Sequence, residues 1–115
     1  MPSAVRKDDM DSGHDGFPPR SVLSGSPNVF INGKPSSRVT DNMGSHNKNV
    51  PEISYGVDEE GNPVEIITMV NVTHSGTISS GSPNVFVNGL AKARIGDSLS
   101  CGGTLATGSS NVNVN

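Results

Sequence analysis

The phrase SGSPNVFING, Ser24 to Gly33, returns as SGSPNVFVNG, Ser80 to Gly89, with one Ile-to-Val exchange. A third and altered copy, TGSSNVNVN, occupies Thr107 to Asn115. Repetition this close in a chain of 115 residues constrains the fold, because like sequence builds like local structure and small units must stack to bury their apolar faces. The copies GSPNVFIN (Gly25–Asn32), GSPNVFVN (Gly81–Asn88) and GSSNVNVN (Gly108–Asn115) agree at Gly, Ser, Asn, Val and the final Asn.

A second phrase keeps the same count. Arg6 and Asp9, Arg38 and Asp41, and Arg94 and Asp97 share the spacing R-x-x-D. His14 and His46 follow their aspartates by five residues, and Cys101 follows Asp97 by four. The segment HSGTISSGSPNVFVN, from His74, aligns with CGGTLATGSSNVNVN, from Cys101, over fifteen residues, which makes His74 and Cys101 equivalent. The chain therefore reads as one domain, 1–115, of three modules at about 1–33, 34–89 and 90–115. The middle module carries an insertion at about 48–72, in which ISYGV, the turn DEEGN and VEIITMV predict a protruding hairpin.

Composition favours strands. Thirteen Val and six Ile stand against four Leu, while fourteen Gly, eight Pro and twelve Asn punctuate the chain, so the expected strands are short and the turns many. In PNVFVNG alternate residues face opposite ways. Val85 and Val87 are thus expected to share a buried face with Val29, Ile31, Val112 and Val114, stacked as triplets, while Phe30, Phe86 and Asn113 point away. Asn32-Gly33 and Asn88-Gly89 predict two-residue hairpin turns, since both residues of each pair accept positive φ. The N-terminal PSAVR reads as the return strand of the third copy, placing the chain ends side by side.

His14, His46, His74 and Cys101 are all the histidines and the only cysteine. Three imidazoles and a thiolate complete a tetrahedral set for Zn²⁺, and four protein ligands leave no position for a reactive water, so such a site is structural. The spacing lacks C-x-x-C or H-x₃-H pairs, and the signal comes from the equivalence of the positions. A lone cysteine excludes an internal disulfide, and a thin core without one needs another staple. The R-x-x-D pairs are expected to be interstrand ion pairs or turn caps.

Several function classes fall away. Eight scattered Lys and Arg with a net charge of −3 offer no stripe for phosphate, which argues against nucleic acid. No apolar stretch is long enough for a signal peptide or a membrane span, so the chain is expected to be made in the cytoplasm. No G-x-S-x-G elbow stands between a strand and a helix, and no catalytic residue is expected. A zinc hydrolase with three His ligands and an open fourth site would need Cys101 to be dispensable.

The hairpin GSPNVFVNGLAKARIGD, with its N-G turn, A-x-A-R and G-D, resembles the repeat of PAAR-domain proteins, the sharpened spike tips of contractile phage tails and type VI secretion systems. The resemblance covers nearly the whole chain. It departs in the first return strand, KPSSRVTD, in the N-terminal PSAVRKDD, and in the insertion. It implies an all-β, cone-shaped fold of short hairpins with pseudo-threefold symmetry, closed near the tip by one structural zinc on His14, His46, His74 and Cys101. It further implies a monomer that caps a homotrimeric β-helical spike, VgrG-like or a phage central spike, one copy per trimer. Contact with the target outer membrane would be transient, and the protein would reside at a virion tail tip or on a spike delivered into the target cell. Carriage of a toxin effector as cargo is the alternative role.

Overall fold

At Asn32-Gly33 and Asn88-Gly89 the backbone φ values are 53° and 78°, then 52° and 78°, the pattern of a type I′ turn. In the computed structural model, which describes residues 1–115, these turns join β1 (Phe30–Ile31) to β2 (Lys34–Pro35), and β5 (Phe86–Val87) to β6 (Leu90–Ala91). Between them β3 (Asn42–Val57) and β4 (Pro63–Thr77) form one long antiparallel hairpin. The fold is all strand and turn, and no helix is long and apolar enough to cross a membrane.

Outside these strands the backbone pairs through single bridges that obey threefold equivalence. Val22 faces Met43, Ile78 faces Leu99, and Leu105 faces Asp11. The return strands close a ring: Ser37 N donates to Val5 O (3.1 Å), Ala93 N to Ser37 O (3.0 Å) and Val5 N to Ala93 O (3.2 Å). The chain ends complete it, with Val114 N donating to Pro2 O (2.8 Å) and Ala4 N to Val112 O (2.9 Å). The N-terminal segment is thus the return strand of the third copy.

Lys92 lies on the axis of this ring, 1% exposed, and its ammonium donates to Val5 O (2.6 Å), Ser37 O (3.0 Å) and Ala93 O (2.9 Å). Three N–H bonds thus meet three equivalent carbonyls. Ala4 and Ser36 occupy the corresponding places in the other return strands, so only one long side chain fills the axis.

Each R-x-x-D phrase makes a turn held by its own aspartate. Asp9, Asp41 and Asp97 accept the backbone N–H of Arg6, Arg38 and Arg94 at 2.8, 2.7 and 2.7 Å, together with the same arginine's guanidinium. The ion pair and the turn cap are one feature, formed within a turn instead of between strands. Burial opposes ionisation of Asp9, yet the Arg6 side chain and amide hold its carboxyl below the usual range.

The seven-residue core is Val5, Val22, Met43, Ile78, Ala93, Leu99 and Leu105. Here the expected valine triplets need correcting. Val87 and Val114 are buried, but Val29 and Val85 are more than a third exposed. Each repeated phrase runs two strand residues at most before its turn, and Val87, the residue next to the turn, is buried while neither it nor Val114 joins the central cluster. The triplet at the centre is Val22, Ile78 and Leu105, three positions before each repeated Gly.

The long hairpin stretches the molecule to 68 × 24 × 23 Å. From His46 to Val57 the strand advances about 35 Å at ~3.3 Å per residue. The segment expected at 48–72 lies within this hairpin, which also includes Asn42–Asn47 and Thr73–Thr77. Asp58 Oδ1 closes its turn by accepting Glu60 N and Asn62 N, each at 2.9 Å. Ile53 opposite Ile67 and Pro51 opposite Met69 share one face with Tyr55 and Val57, and Tyr55 is 79% exposed.

Candidate metal centre

A register shift between Met43 and His46 sets two residues of β3, Gly44 and Ser45, against Ser75 of β4. The bulge brings His46 directly opposite His74 on the same face of the hairpin; an unbroken ladder would have placed Ser45 there. His14 begins the turn Asp15-Gly16, both at positive φ, which His14 N→Phe17 O (3.2 Å) and Phe17 N→His14 O (2.7 Å) close. Cys101 sits in the turn after Leu99, where Leu99 N donates to Gly103 O (3.2 Å).

These elements bring all four expected residues together. One ligand atom from each of His14, His46, His74 and Cys101 lies within 4.8 Å of the others, and the group could hold a metal ion. The Nε2 atoms converge, with His74 Nε2 at 3.1 Å from His14 Nε2. His46 Nδ1 lies 2.7 Å from Pro18 O. A ring nitrogen that donates to a carbonyl leaves its Nε2 lone pair free for a cation. Burial, followed by the neighbouring His46 and His14 and then Arg20 and Lys48, pushes the His74 imidazolium pKa down, so the neutral ring that ligates metal is favoured. Three converging ring nitrogens beside a sulfur form a donor set that fits a metal ion such as zinc.

Residues without any metal-ligand character complete the surroundings. Phe17 is buried and stacks on His74 (centroids 4.1 Å apart, 19°) and on His46 (4.8 Å, 28°), holding both rings in one orientation. Lys48 Nζ lies 4.7 Å from the Phe17 centroid and also donates to Asp15 O. Gly76 sits against the sulfur: a Cβ there would come within 2.8 Å of Cys101 Sγ. Arg20 contacts Cys101 Sγ from its guanidinium, so the thiol has a cationic neighbour in space that it lacks in sequence.

Sequence reasoning did not single out Phe17, Arg20, Asp11 or Lys48. For two of them the repeat carried a signal. Arg20 stands five positions before Gly25, where the other copies have Gly76 and Gly103, and Asp11 stands two after Asp9, where the others have Met43 and Leu99. Phe17 and Lys48 lie in stretches with no counterpart in the other copies.

No curated protein matches the chain. The family model described as PAAR motif matches residues 12–107, a span that includes all four members of the His and Cys group. That family is a structural spike-tip motif and not an enzyme family. By this match over most of its length, the chain belongs to the PAAR-motif family, whose members are associated with the spike tips of phage tails and type VI secretion machinery.

Proposed function

We propose that His14, His46, His74 and Cys101 bind one structural Zn²⁺ per chain, and that the protein caps the blunt end of a homotrimeric β-helical spike, one copy per trimer. A trimer ends in three identical strand ends about an axis, and a monomer can meet them equivalently only through three like surfaces of its own. The observation that carries this reading is the closed ring of Val5, Ser37 and Ala93 around Lys92. The end of a β-helix exposes unpaired backbone and apolar layers, and a matched cap covers both. Phe30 and Phe86, each more than half exposed beside the Asn-Gly turns, offer apolar surface for that contact, with Asn113 in the third place.

The role is mechanical. When bound, zinc would tie the His14 turn, the root of the long hairpin and the Cys101 turn into one unit, and a saturated ligand set leaves no site for catalysis. The protein's own residues hold the rings stacked, turn the lone pairs inward and resist separation under load as the spike pierces the target envelope.

Native mass measurement of the purified chain mixed with its trimeric spike is the test. The expected complex has one chain per three spike chains, and it is lost on Phe30→Asp with Phe86→Asp while the zinc content stays unchanged. Absence of a complex, or a stoichiometry of three to three, sinks the capping role.

A second role is favoured by the outer hairpin, that of an adaptor on which a separate effector rides. Residues 49–71 carry Glu52, Asp58, Glu59, Glu60 and Glu65 and no Lys or Arg, alongside exposed Ile53, Tyr55, Ile67 and Met69. An apolar ribbon with acidic charges suits a protein surface that is apolar with a basic rim.

A further inference from the structure

Three buried positions break the threefold pattern with charge: Lys92 on the axis, and Asp11 with Arg20 beside the metal group. The last two form an ion pair with side chains 0% and 2% exposed, Arg20 Nε donating to Asp11 Oδ2 at 2.9 Å. At the place of Asp11 the other modules carry Met43 and Leu99, and both are core residues. Apolar packing is therefore available at this position, and a buried ion pair gains little over it in stability. The pair must do something that packing cannot.

Its contacts indicate what. Asp11 Oδ1 accepts Arg20 N (2.8 Å) and Gly13 N (3.1 Å), which fixes the backbone immediately before His14. Arg20 Nη1 reaches Gly44 O (3.4 Å), two residues before His46 in the bulge. Arg20 Nη2 meets Cys101 Sγ. One guanidinium thus touches all three segments that bring His14, His46 and Cys101 together, and the missing side chain of Gly76 leaves room for the sulfur. A rigid planar fork with several donors can do this, and an ammonium, a point charge, cannot.

We propose that Arg20, held by Asp11, is the positioning residue of the metal centre. It directs the Cys101 sulfur toward the three imidazoles and sets the spacing of the ligand-bearing turns. The symmetry is broken here because only one module supplies a sulfur. This rests on the metal-binding reading above.

Zinc affinity by competition with a chromophoric chelator, and the thiolate-to-cobalt charge-transfer band of the Co²⁺-loaded chain, test it. Arg20→Met alone leaves Asp11 buried and unpaired, so the decisive variant is Asp11→Leu with Arg20→Met, which gives position 11 the apolar character of the other modules and leaves no buried charge unpaired. It is expected to fold and melt near the unaltered chain, to bind zinc about 10- to 100-fold more weakly, and to show a shifted or weakened charge-transfer band. Arg20→Lys is expected to leave the band weakened although the charge is kept. Unchanged affinity and an unchanged band in the double variant overturn the positioning role alone. Failure of the unaltered chain to take up zinc or cobalt overturns the metal reading with it.

Discussion

Lys92 shows how a charge can lie in a core this small. Three carbonyls that already accept one backbone bond each offer their second lone pairs to one point, and the ammonium supplies three donors. Burial lowers its pKa from 10.5 to about 8, with Asp41, Asp9 and Asp97 pulling the other way. Between those values the unfolded chain binds more protons than the folded one, so stability rises from about pH 8 to 10.5 and the full cost of burying the charge is present below pH 8. The difference is on the order of 3 kcal/mol. Denaturant melts across this range are expected to show the rise in the unaltered chain and none in Lys92→Met; a flat profile in both would mean that the ammonium is fully stabilised by its carbonyls. Lys92 was not legible as a core residue, because nothing in A-K-A-R by itself sets it apart from the other scattered Lys and Arg until the ring is closed.

Among the elements, the hairpin β3–β4 stands apart. Its root, from Asn42 to His46 and from His74 to Thr77, belongs to the body through the Val22–Met43 and Ile78–Leu99 bridges. Lys48 still reaches Phe17 and Asp15, but residues 49–71 pair with one another, and a lone two-stranded ribbon contributes little stability. Replacing residues 49–71 by a two-residue Asn-Gly turn is therefore expected to leave zinc content, melting temperature and spike binding as they were, while any effector carried on the ribbon is lost from the complex. A fall in zinc content would show that the ribbon helps to hold His46 opposite His74. The hairpin and its DEEGN turn were legible from local β-propensity. The bulge was not, since it follows from where Met43 must pack and where His46 must point.

The whole molecule is a ring closed at one level by the return strands, with the His and Cys group gathered at another. Its central apolar cluster has only seven residues, a thin core for a chain of this size. Structural zinc in small domains supplies folding free energy of roughly 10–16 kcal/mol at neutral pH. Strong chelation is accordingly expected to abolish the cooperative thermal transition followed by circular dichroism, and added zinc to restore it. A transition that survives chelation unchanged would assign the holding role to the Lys92 ring and the R-x-x-D turns alone.

The residues by themselves determined whatever short segments dictate and the repeat multiplies. The Asn-Gly pairs set type I′ turns because Asn and Gly themselves accept positive φ, and R-x-x-D closes on itself within four residues. Repeat-related places marked His14, His46, His74 and Cys101 as one candidate group drawn from four distant points in the chain. The tertiary structure alone decided which valines meet the core, that Phe17 would lie under two imidazoles, and what the symmetry-breaking residues do. Asp11, Arg20 and Lys92 are visible as exceptions in the alignment. Arg20, however, meets Gly44 and Cys101, and Lys92 meets Val5 and Ser37, in other modules, and a contact between modules is set by how closed rings of strands pack in space, which no local spacing encodes.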